Sequence, residues 1–333
     1  MRNDTTARIT RRRALRTGAG LLGIGLLAAC AVPAGLASAA EPPPAAPRVH
    51  GPAFQSELNE MGWPRALSPV SFGVIPLEDA VVQKGKWQPF MDHVSQGLGV
   101  PVELSITTSY AALVEAQRSN FVTVGYYGAL AFLFAEQQVG AVPIAVDSPD
   151  GVKPTGYHAL LLAGKDSPVK TVQEIRGQDF TFVDPGSTSG YLFPSVMLIE
   201  EGMDPKTDIK ARFAGNHANS ILAIAKGQVP CGATNNLSVN TAIRNGVIVA
   251  DELVVLKESE PIPNGPYAVS SDFDPTATAK LIEVMTGFAD AEALKSMEHG
   301  GPLIPAQTEM YDFVRRAAKA VNLTFDEKGG ARF

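Results

Sequence analysis

The amino-acid sequence predicts an α/β fold in two lobes that face a cleft. Three observations lead there. From Ser68 onward, short apolar runs alternate with amphipathic windows, the pattern of strands joined by crossover helices. The alternation opens twice, near Pro69 and again near Tyr157. The chain then returns through Pro261-Ile262-Pro263-Asn264-Gly265-Pro266 to one more strand. No internal repeat is evident, so the two series form lobes of different sequence.

Taken in order, Pro69–Val74 reads as a strand, and Gln88–Leu98 as a helix with Phe90, Met91, Val94 and Leu98 on one face. Val102–Ile106, Phe121–Val124 and Val142–Val146 read as strands, with helices at Tyr110–Arg118 and Ala129–Gln137 between them. Crossovers of this length permit parallel pairing. In the second series Tyr157–Ala163, Phe180–Val183, Ala211–Phe213, Cys231–Ala233 and Val254–Lys257 read as strands. Gly190–Glu201, Asn219–Lys226 and Val239–Asn245 read as its helices. Tyr267–Ser270 is the returning strand, and helices at about Pro275–Asp290 and Ala306–Val321 close the chain. The expected domains are residues 68–155 with 267–333 as lobe 1 and 156–266 as lobe 2, joined by crossings near 155 and 266.

Composition narrows the function. The 333 residues are 45% hydrophobic and 19% charged, the balance of a globular chain. With 28 Lys+Arg against 34 Asp+Glu the formal charge is −6, which excludes a nucleic-acid binder relying on a basic surface. Two cysteines, Cys30 and Cys231, exclude a disulfide framework and a thiolate-rich zinc site.

The N-terminal residues 1–39 read as an export signal. Arg2, Arg8, Arg11, Arg12, Arg13 and Arg16 face the single acid Asp4, and an uncharged run from Thr17 to Ala40 follows. A basic start, an apolar middle and a small-residue end describe such a signal. Thr10-Arg11-Arg12-Arg13-Ala14-Leu15-Arg16 resembles a twin-arginine (Tat) signal. Ala37-Ser38-Ala39 fits cleavage before Ala40, while Leu27-Ala28-Ala29-Cys30 fits a lipobox that would make Cys30 a lipid anchor. Either reading places the protein in the periplasm or otherwise outside the cytoplasmic membrane. Gly18-Ala19-Gly20-Leu21-Leu22-Gly23 matches a dinucleotide-binding pattern, but lies in the leader and lacks the strand such a motif needs. Residues 40–67, rich in Pro and Ala at their start, read as a linker. Losing residues 1–39 removes six arginines and one aspartate, so the formal charge of −6 becomes −11.

The segment richest in chemistry is Val183-Asp184-Pro185-Gly186-Ser187-Thr188-Ser189-Gly190. A strand enters a glycine-bounded hydroxyl turn and a helix begins at once. Unpaired amides at a helix N-terminus, with its partial positive charge, form an anion site, and Ser187, Thr188 and Ser189 add hydroxyl donors. The plainer reading is a helix cap. Gly215-Asn216-His217-Ala218 is a second strand-to-helix loop, where His217 can donate from its ring. Tyr110, at the start of a helix, and Tyr157, in the crossing strand, can each supply a hydroxyl and a wall against water.

These residues carry a resemblance. Lys86-Trp87-Gln88-Pro89-Phe90, Thr108-Ser109-Tyr110, Val124-Gly125-Tyr126-Tyr127-Gly128, the Asp184–Gly190 turn, Gly215-Asn216-His217, Ala233-Thr234-Asn235-Asn236 and Ile262–Pro266 follow one another as in a known family. The chain resembles the PhnD-like substrate-binding proteins of phosphate/phosphite/phosphonate ABC transporters. The resemblance implies a two-lobed periplasmic-binding-protein fold of type II, closing on a phosphorus oxyanion that is passed to an ABC permease and its ATPase. It implies Tyr110, Tyr157, Ser187, Thr188, Ser189 and His217 as ligand donors, with Tyr127 and Asn235 as secondary candidates. No catalytic residue, metal or cofactor is expected, and the protein is expected to act as a monomer.

Relatives that bind an aminoalkylphosphonate place acids after the Asn-Asn pair and in the Ile-Pro-x-x-Pro loop. Here Leu237-Ser238 and Asn264-Gly265 stand there, and an ammonium buried without a counter-charge is costly. The expected ligand is therefore phosphite, phosphate or methylphosphonate, not an aminophosphonate. Two other readings compete. A sensor that presents its closed form to a membrane histidine kinase could recognise arsenite through Cys231. A serine-type hydrolase would need serine where Thr188 stands in its nucleophile motif. No metal-spaced cluster joins His50, His93, His158, His217 and His299.

Overall fold

The computed structural model describes residues 57–325 and 331–332. The expected export signal, Cys30 and the Pro/Ala-rich start of the expected linker lie outside the described residues. Among the described residues no helix is long and apolar enough to cross a membrane.

The first lobe is built on a six-stranded mixed sheet. Its first four strands are β1 (Val70–Val74), β2 (Val102–Ile106), β3 (Val124–Tyr126) and β4 (Ala141–Asp147). In the second lobe, β5 (Thr155–Tyr157), β6 (Ala159–Gly164), β7 (Asp179–Phe182), β8 (Lys210–Phe213), β9 (Cys231–Asn235) and β10 (Leu253–Glu258) follow. The chain returns through β11 (Ile262–Pro263), β12 (Tyr267–Ser270) and β13 (Leu303–Pro305). The first sheet has the order β13-β4-β12-β3-β1-β2 and the second β10-β6-β9-β7-β8.

Strand β1 pairs parallel with β2 and β3. The expected parallel run stops there. The returning strand β12 is inserted between β3 and β4 and pairs antiparallel with both. Likewise β6, expected to continue into its crossing strand without a break, separates from β5 at His158 and pairs antiparallel with β9 and β10. The freed β5 pairs instead with β11, so the two crossings between lobes run side by side as a short ribbon.

The helices cover these sheets: α1 (Ala80–Leu98), α2 (Tyr110–Arg118), α3 (Ala129–Val139), α4 (Phe193–Glu200), α5 (His217–Ala225), α6 (Asn236–Arg244), α7 (Pro275–Thr286), α8 (Ala291–Ser296) and α9 (Asp312–Ala320). Helix α1 begins eight residues before the expected Gln88. Asp79 caps it, accepting from the Val81 and Val82 amides at 2.9 and 3.2 Å. Pro89 sits inside the helix, where it removes one hydrogen bond. Burial of Trp87, Phe90, Met91, Val94 and Leu98 carries the helix through. The expected helix over Pro275–Asp290 ends at Thr286, where Gly287 caps it, and an additional helix, α8, starts after the Asp290 cap.

Packed structure starts before Ser68. Trp63 is fully buried, its ring 6.4 Å from Phe273, and Asn59 Nδ2 donates to the Leu98 carbonyl at 2.7 Å.

Candidate functional site

Between the lobes lies a cavity of about 50 Å³. That is room for a few waters or one small tetrahedral ion, since one water needs about 10–15 Å³ by the same measure. Every residue expected as an oxyanion donor or secondary candidate lines it: Tyr110, Tyr127 and Tyr157, the Ser187-Thr188-Ser189 turn, His217 and Asn235.

The way the elements begin explains the convergence. Tyr110 is the first residue of α2, whose cap Ser109 accepts from the Ala112 amide at 3.1 Å. Gly128 caps α3. Ser187 caps the turn that leads into α4, accepting from the Gly190 amide at 3.0 Å. Asn216 caps α5 by accepting from Asn219, which puts His217 in its first position. Asn235 caps α6, accepting from the Ser238 amide at 2.8 Å. Five helix N-termini, two from the first lobe and three from the second, therefore meet at one cavity. Each carries first-turn amides without an intrahelical partner and about half a positive charge.

The hydroxyl turn is held from below. Asp184 Oδ1 accepts from the Gly186 amide at 2.7 Å, and the turn opens into one wide π-type turn over Thr188–Leu192 before α4 starts. A side chain at Gly190 would put its Cβ 2.3 Å from Val183 Cβ, so only glycine lets helix and strand approach this closely. Thr188 Oγ1 accepts from the Leu130 amide across the cleft at 2.8 Å. The Ala218 amide likewise reaches the Leu77 carbonyl at 3.2 Å.

Burial governs the titratable groups. His217 is 2% exposed, and desolvation pulls its imidazole down to about 3. Its Nδ1 lies 2.9 Å from Thr234 Oγ1 and 3.2 Å from Asn235 Nδ2. The Tyr157 phenol, beside the Ser189 and Thr188 hydroxyls, is pushed up to about 12 by burial. Tyr110 is raised further, first by burial and then by the nearby Asp184. All these groups are neutral donors at neutral pH. Tyr127 contributes only its ring: its hydroxyl donates to Gln117 Oε1 at 2.7 Å.

The lining contains no Lys or Arg, and its one charged side chain is Glu298, a residue the sequence reading missed. Ser238 Oγ donates to Glu298 Oε2 at 2.8 Å. Asn264, which also lines the cavity, donates to the buried Asp147 at 2.6 Å. Ser238 and Asn264 are thus each bonded to a carboxylate distant in sequence. Cys231 does not line the cavity. It is buried, and desolvation pushes its thiol up to about 12. Among the described residues no group of three or more His, Cys, Asp or Glu could hold a metal ion.

Two sheets joined by a ribbon, with helix N-termini aimed into the gap, define a two-lobed periplasmic binding protein of type II. Residues 72–311 match the family described as "ABC transporter, phosphonate, periplasmic substrate-binding protein", and the chain belongs to it. It is 27% identical over 236 residues to the phosphonates-binding periplasmic protein of Escherichia coli, covering 68% of each chain. It is 31% identical over 243 residues to the phosphate-import protein PhnD of Mycolicibacterium smegmatis, covering 70% of this chain and 74% of that one. The same fold occurs in a binding protein component of an ABC phosphonate transporter from Pseudomonas aeruginosa. The TM-score is 0.69 at 24% identity, over 78% of this chain and 91% of that one. It also occurs in PhnD1 of Prochlorococcus marinus in complex with methylphosphonate, with TM-score 0.67 at 20% identity, over 76% and 98%. The protein is therefore a non-enzymatic, extracytoplasmic component of an ABC transporter, with a small-molecule ligand and a membrane permease and ATPase as partners.

Proposed function

We propose that the protein captures one small phosphorus oxyanion, phosphite, phosphate or methylphosphonate, and releases it to its permease. The observation that carries this reading is the meeting of five helix N-termini at a cavity of about 50 Å³ without Lys or Arg. Hydrogen bonds to a charged group contribute roughly 1.5–3 kcal/mol each, so several preorganised donors hold an anion despite a negatively charged molecule. In this reading the donors are Tyr110, Tyr157, Ser187, Thr188, Ser189 and the imidazole of His217, whose Nδ1 meets Thr234 Oγ1 and whose two ring nitrogens lie 3.2 and 3.3 Å from Asn235 Nδ2. Tyr127 walls the site and Asn235 orients His217. The small volume disfavours an aminoalkyl chain, and neither Ser238 nor Asn264 offers an ammonium a charge of its own.

The lobes close about the β5–β11 ribbon, with residues 156–266 as the moving unit. Export by a twin-arginine signal, with release after Ala39 or anchoring at Cys30, completes the route, and the binding protein acts as a monomer. A thermal-shift panel tests the ligand: phosphate, phosphite, hypophosphite, methylphosphonate, 2-aminoethylphosphonate, sulfate and arsenite. Ligand at 100 times its Kd stabilises by about 2.7 kcal/mol, so phosphite, phosphate or methylphosphonate should raise the Tm most. A largest shift with 2-aminoethylphosphonate would overturn the ligand class. Arsenite recognition finds no support in a thiol outside the cavity.

A further inference from the structure

We propose that Glu298 is the specificity-determining residue of this cavity, accepting the hydrogen of a protonated phosphorus oxyanion and so rejecting anions that carry none. The inference rests on the ligand class proposed above and adds the protonation state in which the ligand is held.

The argument starts from placement. Glu298 is the one carboxyl side chain in a wall otherwise made of hydroxyls, amides, the His217 imidazole and apolar groups. It belongs to the segment after α8, at a backbone φ of 64°. Its carboxylate is fixed from the opposite side of the cleft by Ser238 at 2.8 Å, with the Thr241 hydroxyl as a second donor. A carboxylate has about four lone-pair positions, so acceptor capacity remains after both. An oxyanion placed among the five helix N-termini then has donors on its other sides and an acceptor here. Two negative oxygens in contact repel strongly in a dehydrated site. A single proton shared between them turns that repulsion into a charge-assisted hydrogen bond. A phosphite or methylphosphonate monoanion brings that proton, as do both the monoanion and the dianion of phosphate; sulfate has none at neutral pH.

The other charged and titratable groups near Glu298 leave this requirement standing. Burial holds the Glu298 carboxyl above the ordinary carboxylate range, so a proton is readily shared there; Glu78 raises it further, while the Ser238 bond and Lys86, paired with Glu78, lower it. Arg244 is directed to Thr241 Oγ1 and the Lys295 carbonyl. Asp147 accepts from Asn264 and the Gly300 amide. His299 is bonded to the Tyr267 hydroxyl at 2.9 Å. Tyr110, Tyr126 and Tyr157 are raised and stay protonated. Among the residues that line the cavity, His217, neutral without ligand, is the other group that could take up a proton with an anion.

Isothermal titration of the full-length mature protein between pH 5.5 and 8.5 tests the proposal with phosphite, phosphate, methylphosphonate, 2-aminoethylphosphonate and sulfate. Affinity for phosphite or methylphosphonate should fall by about tenfold per pH unit above its second ionisation, the slope for one required proton; phosphate, whose dianion keeps one proton, should lose less, and sulfate should not compete. Glu298→Gln supplies an amide donor of similar shape. Its affinity should vary little with pH, and sulfate should gain at least tenfold. Tight, pH-independent binding of phosphite or methylphosphonate by the wild type, or sulfate binding equal to that of the phosphorus ligand, overturns this inference and leaves the ligand class intact. So does a slope that persists in Glu298→Gln and vanishes in His217→Gln. Tightest binding of 2-aminoethylphosphonate, lost in Glu298→Gln, would make Glu298 an ammonium acceptor and overturn both readings. Binding of none of the phosphorus compounds at any pH also overturns both. The wild-type pH series and sulfate arm need no variant, so poor folding of Glu298→Gln leaves the test decisive.

Discussion

His217 is neutral because burial makes its charged form costly, and that cost is visible without any ligand. Its folded value, about 3, lies below the ordinary 6.5. Below pH 6.5 the unfolded chain takes up a proton that the folded chain does not, so this residue's contribution to stability is full above that pH. It falls away as pH drops toward 3, by up to about 1.4 kcal/mol per unit. Asp147, Asp184 and Glu298 are raised by burial and work in the opposite direction. The comparison that isolates the histidine is therefore wild type against His217→Gln. The wild type should lose more stability between pH 6.5 and 4 in chemical denaturation; parallel curves would rule out a buried neutral imidazole. Thr188→Val keeps the volume but removes the acceptor for the Leu130 amide and a hydroxyl from the cavity. An orphaned buried amide costs about 1–3 kcal/mol, so ligand affinity should fall at least tenfold in titration. Cys231→Ser, by contrast, should leave affinity unchanged. Of the site, the residues legible in sequence are those grouped by local grammar: a hydroxyl run between glycines, a histidine after a capping asparagine. Glu298 was not legible. Its partner Ser238 is 60 positions away, and nothing around a lone glutamate in the sequence marks it as facing a cavity.

The elements show where periodicity stops informing. Helix α1 begins at Ala80, although Val81 and Val82 are exposed; the capping Asp79 rather than an apolar face marks its start. Gly85 lies on its exposed side, and a Cβ there would meet nothing within 4 Å. Gly85→Ala should thus stabilise the fold by about 0.5–1 kcal/mol, read as a higher urea midpoint. Gly265 is the opposite case. A Cβ there would come 1.7 Å from the Tyr127 carbonyl, backbone against backbone, in the segment that follows β11 into the cavity wall. Gly265→Ala should cost at least about 1–3 kcal/mol, lowering the Tm and weakening ligand capture together. The strands were legible as apolar runs, but their pairing was not. Insertion of β12 between β3 and β4 joins residues more than a hundred positions apart, and a short apolar run carries no label for its neighbour.

At the scale of the whole molecule, field and site disagree in sign. The formal charge of −6 repels an incoming anion at long range, while the helix N-termini attract it only within their first turn. Salt shortens the reach of the repulsion from about 30 Å at 0.01 M to about 8 Å at 0.15 M. The association rate should therefore rise with salt over that range in stopped-flow measurements. A site driven by cationic side chains would show the reverse.

The two tryptophans, Trp63 and Trp87, are both buried, yet they differ in what surrounds them. Trp63 packs on Phe273, whereas the Trp87 ring lies 5.0 Å from that of Tyr126, which itself forms part of the cavity wall. Indole emission is sensitive to small shifts of neighbouring polar rings, so one of two intrinsic fluorophores stands behind the wall and the other serves as an internal standard. Occupancy of the cavity can thus be followed by the light the unlabelled protein emits, with Trp87→Phe silencing the response and Trp63→Phe preserving it.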